Sequence, residues 1–181
     1  MKRCSWCNSK NELYIEYHDH EWGVLNLDDH YLFEMLILES FQAGLSWECI
    51  LNKREDFRKA YDDFDINKVC QYDLNKQEEL KHNPSIIRNT LKIKSSIQNA
   101  LIFKNIQQEY GSFQKYLCTF WDGKIIFEND KTTNELSDLI SSDLKKRGMK
   151  FVGSTIIYSY LQAIGIINSH LEDCDLYRRE V

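Results

Sequence analysis

Proline and glycine are scarce in this chain, which has one proline and seven glycines in 181 residues. Because these residues supply many tight turns, their scarcity argues against a turn-rich β fold and favours helices. No apolar run approaches the roughly 20 residues that a transmembrane helix requires. The amino-terminal run M-K-R-C-S-W-C also lacks the apolar core of a secretory signal. We therefore expect a soluble cytoplasmic protein that makes no membrane contact.

Six cysteines are present, and in a cytosolic chain they are expected to be reduced rather than paired in disulfides. Metal ligation or simple burial accounts for them better. The formal net charge is −5, from 23 basic and 28 acidic residues, which argues weakly against nucleic-acid binding. Phosphate contacts need only one basic face, however, so the total charge does not exclude a DNA partner.

The hydrophobic periodicity predicts an all-α architecture in a single domain, residues 1–181. Asp28 is a candidate cap for a helix that carries the apolar residues from Leu32 onward, and Ser46 is a candidate cap for a second helix. The pair Asn83-Pro84 predicts the start of a long helix, because proline suits the first helical position. Gly111 ends that helix, and the polar segment 128–134 is the best candidate for a loop.

The run L-I-L-E-S-F-Q-A-G-L-S-W, from Leu36 to Trp47, places one carboxylate, Glu39, among apolar residues. That carboxylate must either reach solvent or lose its hydration. Buried ionisable groups with shifted pKa values cluster at functional sites, so a buried Glu39 would be a candidate catalytic or binding residue. The alternative is a helix whose polar edge passes through Glu39, Gln42 and Ser46.

Aromatic residues flank this region of the sequence. Aromatic faces beside one carboxylate suit an extruded, electron-poor base, because the rings stack on it while the carboxylate binds its edge. Ordinary core packing is the better explanation for any single ring, so the combination carries the argument. The candidates are Trp6, Tyr14, Tyr17, Trp22 and Trp47.

A basic, glycine-bounded segment, K-K-R-G-M-K-F-V-G-S-T, lies between two predicted helices within about 136–168. The free N–H groups and the dipole at the start of the second helix attract phosphate. A helix, hairpin and helix of this kind is typical of a sequence-independent clamp on the DNA backbone. The alternative is a basic helix end that complements its own dipole. The expected DNA contacts are Lys146, Gly148, Lys150, Gly153, Ser154 and Thr155, in a segment where Lys145 and Arg147 add positive charge.

The two ends of the chain carry candidate metal ligands. His170 and Cys174 have a spacing that allows both side chains to reach one metal ion. Cys4, Cys7, His18 and His20 offer partners from the other end, and the C-x2-C spacing favours Cys4 and Cys7. A tetrahedral zinc would join the two ends and have a structural role. The alternative is a set of scattered cysteines and surface histidines.

Several ordered motifs together resemble the 3-methyladenine DNA glycosylase I family, within the helix-hairpin-helix glycosylase superfamily. They cover nearly the whole chain except about residues 111–134. The matching runs are R-C-S-W (3–6), L-Y-I-E-Y-H-D-H-E-W-G-V (13–24), L-F-E-M through Q-A-G-L-S-W (32–47), I-I-R-N (86–89), K-K-R-G-M-K-F-V-G (145–153) and the terminal H-x3-C.

The resemblance implies a monofunctional enzyme of base excision repair. It would excise 3-methyladenine from alkylated double-stranded DNA, release the free base, and act as a monomer. The structural zinc would be bound by residues 4–18 and 170–174, one ion per chain. Leu45 would be a wedge into the gap left by the flipped nucleotide. By position, the zinc ligands fall on Cys4, His18, His170 and Cys174, which displaces Cys7, and the base pocket falls on Glu39 with Trp6, Tyr14, Tyr17 and Trp47.

The sequence departs from the superfamily in one place that matters for the chemistry. The usual aspartate after the hairpin has no counterpart, because residues 155–167 contain no acidic residue. Glu39 is therefore better supported as a reader of the base than as an acid catalyst. Two other classes of function compete: a catalytically silent, zinc-stabilised DNA-binding module, and a hydrolase that uses Cys49 or Cys118.

Overall fold

A computed structural model of the chain describes residues 1–177, and helices dominate this part. A 3-10 helix and two short strands complete it. The elements are α1 (Glu12–His20), α2 (Asp29–Gln42), α3 (Trp47–Leu51), α4 (Arg54–Ala60), the 3-10 helix (Asp62–Phe64), α5 (Ile66–Val69), α6 (Leu74–His82), α7 (Thr90–Tyr110), α8 (Phe113–Leu117), β1 (Ile126–Phe127), α9 (Glu135–Lys146), α10 (Ser154–Ala163) and β2 (Ile167–Asn168).

None of the helices within residues 1–177 is both long enough and apolar enough to cross a membrane.

Helix α2 lies at the centre of the fold. Every residue from Leu32 to Phe41 is buried, and α2 contacts α3, α7, α8 and α10. As predicted, Asp28 caps this helix, and its side chain accepts from the N–H groups of His30 and Tyr31 at 3.0 and 3.2 Å. A helix surrounded on all sides brings any polar side chain in its middle into the interior.

The prediction of a helical fold is confirmed for the described residues, which also contain a short two-stranded parallel sheet of β1 and β2 that the sequence did not predict. The Ile126 N–H donates to the Ile166 carbonyl at 2.9 Å, and the Glu128 N–H donates to the Asn168 carbonyl at 3.3 Å. This pairing anchors the start of the predicted loop 128–134 to the segment that follows α10.

Helices α9 and α10 flank the predicted hairpin. The first begins at Glu135, close to the predicted start at about 136, but the second ends at Ala163 instead of about 168. The chain turns at Gly165, where φ is +78°. A Cβ on Gly165 would lie 2.1 Å from the carbonyl carbon of Val24. The close packing of Gly165 against the segment after α1 therefore ends the helix, and the chain continues into β2.

The long helix α7 also begins later than predicted. Asn89 caps it by accepting from the N–H groups of Leu91 and Lys92 at 3.0 and 3.1 Å, whereas Pro84 lies in a turn after α6. Ile86, between the two, is buried. The intervening segment packs against the core in a non-helical conformation, so the Asn89 cap sets the helix start.

Candidate active site and candidate metal centre

A cavity of about 300 Å³ lies between the amino-terminal segment, α2 and α10. It collects all five predicted aromatic and carboxylate members of the base pocket. Neither Cys49 nor Cys118 is among the described residues that line it. The lining residues are Trp6, Tyr14, Tyr17, Trp22, Glu39, Gln42, Trp47, Asn129, Ser159, Gln162, Ser169 and Leu171.

Glu39 is buried at the wall of this cavity, with 3% of its surface exposed. The alternative in which Glu39 belongs to a solvated polar edge is therefore wrong. Burial raises the pKa of Glu39 to about 8. Among the described residues, no hydrogen-bond partner reaches Glu39 Oε2 or the indole Nε1 of Trp47, and both atoms are buried. Unpaired buried polar atoms are costly, so a ligand that forms hydrogen bonds with these two atoms would remove that cost.

The aromatic residues pack against one another around the cavity. The Trp6 ring centroid lies 4.6 Å from that of Trp22, in an edge-to-face arrangement, and 5.5 Å from that of Tyr14. The rings of Tyr17 and Trp47 are 5.2 Å apart. These contacts hold the rings before any ligand arrives, so a flat base can be inserted without reordering the walls.

The turn after α2 presents Leu45 at the surface. Gly44 has a φ of +80°, and the Leu45 N–H donates to the Gln42 carbonyl at 2.6 Å. Leu45 is 40% exposed, although a leucine is normally buried. Ser46 then caps α3 through the Cys49 N–H at 3.2 Å, as predicted. The turn thus holds an apolar side chain outward between two fixed helices.

The segment between α9 and α10 forms a tight turn with exposed amino groups. Gly148 has a φ of +101°. Lys146 and Lys150 are exposed, as is Thr155 in the first turn of α10. Gly153 caps α10 without any side-chain hydrogen bond, which leaves the first N–H groups of that helix available. The Ser154 hydroxyl, by contrast, is bonded to Asp138 and Ser137, so only the Ser154 backbone is available.

Arg147 was expected to add free positive charge to this segment, and it does not. Its Nε donates to Asp143 at 2.7 Å and its Nη1 donates to Glu109 at 2.6 Å. Asp143 lies one turn earlier on α9 and Glu109 lies on α7, so the guanidinium is neutralised by these two carboxylates. The free positive charge here belongs to the exposed lysines.

Four buried side chains from the two chain ends meet in one cluster: Cys4, His18, His170 and Cys174. Their ligand atoms all lie within 4.8 Å of one another. The His170 Nδ1 is 3.5 Å from Cys4 Sγ and 3.6 Å from Cys174 Sγ, and His18 Nε2 is 3.7 Å from Cys174 Sγ. A tetrahedron of sulfur and nitrogen ligands around zinc has edges of about 3.5 Å, so this cluster could hold a metal ion.

The surroundings of the cluster orient its imidazoles. His18 Nδ1 is 2.8 Å from Asp19 Oδ1, and Arg3 holds the same carboxylate through its Nε at 2.8 Å. The second nitrogen of His170 lies 3.2 Å from the Trp22 carbonyl. Burial lowers the pKa of His170 to about 4, which keeps this ring neutral. Metal-binding histidines commonly carry such outer partners.

Cys7 and His20, the other amino-terminal candidates, lie outside the cluster. The Cys7 Sγ is 3.7 Å from the Tyr14 carbonyl, and His20 is exposed at the end of α1. The C-x2-C spacing therefore favoured the wrong cysteine pair. Helix α1 turns His18 inward and His20 outward, because residues two apart on a helix point to different faces.

Several pocket residues had no recognisable signal in the sequence. Ser159 and Gln162 come from one face of α10, Ser169 follows β2, and Asn129 comes from the loop after β1. The Gln162 side chain donates to the Ser169 hydroxyl at 2.7 Å. Only the three-residue spacing of Ser159 and Gln162 could have indicated a shared polar face.

Comparison with known proteins gives consistent relatives. DNA-3-methyladenine glycosylase 1 of Escherichia coli (strain K12) is 41% identical over an alignment of 183 positions, gaps included, which covers 98% of this chain and 97% of that protein. A crystal structure of 3-methyladenine DNA glycosylase I is 40% identical and matches with a TM-score of 0.93, covering 97% of this chain and 100% of that chain. A substituted form of 3-methyladenine DNA glycosylase I, solved in complex with 3-methyladenine, is 33% identical with a TM-score of 0.93 and full coverage of both chains.

The family model for methyladenine glycosylases matches residues 6–178. The resemblance drawn from the ordered sequence motifs is thereby confirmed. With that match, and with 41% identity to a relative over nearly its whole length, this chain belongs to the methyladenine glycosylase family.

Proposed function

We propose that this protein excises 3-methyladenine from alkylated double-stranded DNA by hydrolysing the N-glycosidic bond, and that Glu39 reads the extruded base. The observation that carries the proposal is a buried carboxylate in an aromatic cavity, with one oxygen that no described residue reaches by a hydrogen bond. The membership of this chain in the methyladenine glycosylase family supports the same reaction.

The lesion is well matched to this cavity. Methylation at N3 gives the base a positive charge while it is still attached to the sugar. Aromatic faces attract a cation, and more strongly where water is excluded. The paired Tyr17 and Trp47 rings supply such faces, and the Glu39 carboxylate accepts hydrogen bonds from the adenine edge. A cation beside Glu39 also favours its ionised form, which burial alone disfavours.

The reaction needs little acid catalysis. As the bond between the sugar C1′ and the base breaks, its electron pair moves onto the base and cancels the positive charge. Water adds to C1′ and loses a proton, which leaves an abasic sugar and free 3-methyladenine. The protein's contribution is to extrude the base, hold it against the rings, and keep Glu39 in place, so Glu39 acts mainly through recognition.

Extrusion requires a grip on the DNA as well as a pocket. We place the backbone contacts at the α9–α10 hairpin, through the lysines and backbone of Lys146, Gly148, Lys150, Gly153, Ser154 and Thr155. The supporting observations are the exposed amino groups and the start of α10 at Gly153, where no side chain of the described residues forms a cap hydrogen bond. Such an arrangement of helix, hairpin and helix agrees with membership of the helix-hairpin-helix glycosylase superfamily. Leu45 enters the gap left by the flipped nucleotide.

The buried Cys/His cluster is proposed to hold one structural zinc. Four protein side chains of the type that zinc prefers, Cys4, His18, His170 and Cys174, would fill a tetrahedral shell and leave no position for substrate. Zinc would supply folding energy by joining the amino-terminal segment to the segment after β2. The four ligands lie beside the wall of the base pocket. The Trp22 ring lines the cavity, and its centroid is 4.7 Å from that of the His170 ring.

We also propose that the enzyme is cytoplasmic and that it acts as a monomer. The reason for the second proposal is that the cavity and all the candidate DNA contacts come from one chain. Sedimentation equilibrium with and without duplex DNA would check the second point. A mass that doubles at working concentrations would contradict it.

Release of 3-methyladenine from methylated duplex DNA tests the proposed function. The purified protein is incubated with methylated DNA, and the freed bases are separated and quantified by chromatography. Release of 3-methyladenine with formation of abasic sites supports the enzyme. Tight binding to the same DNA without release would favour the silent DNA-binding module instead.

A further inference from the structure

Lys92 is a buried lysine whose ammonium group caps the helix that carries Glu39. It is 7% exposed, and its Nζ donates to the carbonyl of Phe41 at 2.7 Å and to that of Ala43 at 2.6 Å. Helix α2 has no basic residue in its own last turn. Because the last carbonyls of a helix need outside donors and favour a cation, Lys92 completes the end of α2 from α7.

The carbonyls that Lys92 holds lie immediately before the Leu45 turn. Ala43 leaves the helical conformation with a ψ of 112°, and Gly44 follows in the left-handed region. The direction in which the chain leaves α2, and with it the position of Leu45, is therefore set where the ammonium binds.

The same lysine reaches the DNA-facing hairpin. Its Nζ lies 5.9 Å from the centre of the Phe151 ring. Two turns further along α7, the buried Asn99 accepts from the Lys150 N–H at 2.9 Å and donates to the Lys150 carbonyl at 2.8 Å. Helix α7 thus binds the hairpin through Asn99 and the carboxyl end of α2 through Lys92.

We propose that Lys92 is a positioning residue that keeps the Leu45 turn in register with the α9–α10 hairpin. Its role is in extrusion of the base from duplex DNA; binding of a free base in the cavity does not need it. This inference rests on the proposed glycosylase function. Misplacement of a wedge by about 1 Å is enough to cost roughly 100-fold in rate.

The test compares Lys92→Met with Lys94→Met, a change at an exposed lysine on the same helix. We measure excision from methylated duplex DNA, separating kcat from KM, and the affinity for free 3-methyladenine by titration calorimetry. We expect Lys92→Met to lose roughly 10- to 100-fold in kcat with an unchanged affinity for the free base. Lys94→Met behaves as wild type, and Lys92→Arg restores part of the rate because it keeps a donor and a positive charge.

A double-variant cycle identifies the element through which Lys92 acts. In a Leu45→Ala background, Lys92→Met is expected to cost little more, because residues that act through one feature give non-additive effects. Wild-type excision in Lys92→Met, fully additive losses with Leu45→Ala, or an equal fall in excision and free-base affinity would each overturn the inference. If the wild-type protein itself releases no base, the proposed function fails instead.

Discussion

Glu34 and Glu39 are two buried carboxylates on the same helix, and within residues 1–177 only Glu34 has ion-pair partners. Glu34 accepts from the Nε of Arg54 at 2.7 Å and from the Nε of Arg58 at 2.9 Å. Glu39 has an unpartnered oxygen at the cavity wall. The Glu34 carboxylate therefore joins α2 to α4, whereas the Glu39 carboxylate is available to bind a ligand.

Removal of Arg54 is expected to destabilise the fold strongly. Arg54→Met leaves Glu34 buried with a weakened set of partners, and it also removes the contact of Arg54 Nη1 with Glu21 at 2.7 Å. Breaking one side of a buried ion pair costs about 3–5 kcal/mol. Urea denaturation measures the free energy of unfolding. Lys59→Met, at an exposed position on α4, should change it little; equal stability of both variants would refute this role of Arg54.

Glu39 should instead make the free protein less stable as the pH rises. Its pKa is about 8 in the fold against a usual value of 4.5, so between these values the folded state keeps a proton that the unfolded state loses. The free energy of unfolding of wild type therefore falls across this window relative to Glu39→Gln, which has no such proton. Denaturation at a series of pH values should show that the free energy of unfolding of Glu39→Gln rises relative to that of wild type from about pH 5 to about pH 8. Parallel curves would mean that the Glu39 pKa is not raised.

Loss of one cluster cysteine should remove the metal. On the proposal of one zinc per chain, Cys174→Ser replaces a thiolate by a weaker ligand, so we expect its metal content to fall well below one per chain, together with thermal stability. Metal content is measured by mass spectrometry after gel filtration. Cys118→Ser, at an exposed cysteine, is the matched control. Full metal content in Cys174→Ser would remove Cys174 from the ligand set.

Lys150 and Arg147 should differ in their effect on DNA binding although both lie in the hairpin. Lys150 is exposed, whereas Arg147 is occupied by Asp143 and Glu109. Lys150→Met is expected to weaken binding to any duplex and to reduce the dependence of log affinity on log salt by about 1. Arg147→Met should lower stability and leave the salt dependence unchanged. Identical salt dependences for Lys150→Met and wild type would argue against a phosphate contact there.

Local signals in the sequence predicted much of the fold. The Asp28 and Ser46 caps and the end of α7 at Gly111 depend on groups close in sequence, and all three were found. The end of α10 was mistaken because it depends on the packing of Gly165 against Val24, about 140 residues away in the chain. The β1–β2 pairing escaped prediction for the same reason.

The candidate site was predictable where chemistry and helical position coincide. Glu39 stands out because a carboxylate interrupts an apolar helix, yet only tertiary packing decides that it is buried and unpaired. The choice of Cys4 over Cys7 as a partner of His170 and Cys174 was not available from spacing and came from the family resemblance. Asn129 and Ser169 reach the cavity from loops whose course depends on contacts distant in sequence.

The release of 3-methyladenine by Glu39→Gln, measured beside wild type and Glu16→Gln, tests the central claim most directly. Glu16 is an exposed carboxylate on α1, so Glu16→Gln should release the base at the wild-type rate. Glu39→Gln should remain folded and lose about 100- to 1,000-fold, because the carboxylate that accepts hydrogen bonds from the cationic base is removed. Equal rates of release by all three proteins would contradict the role of Glu39.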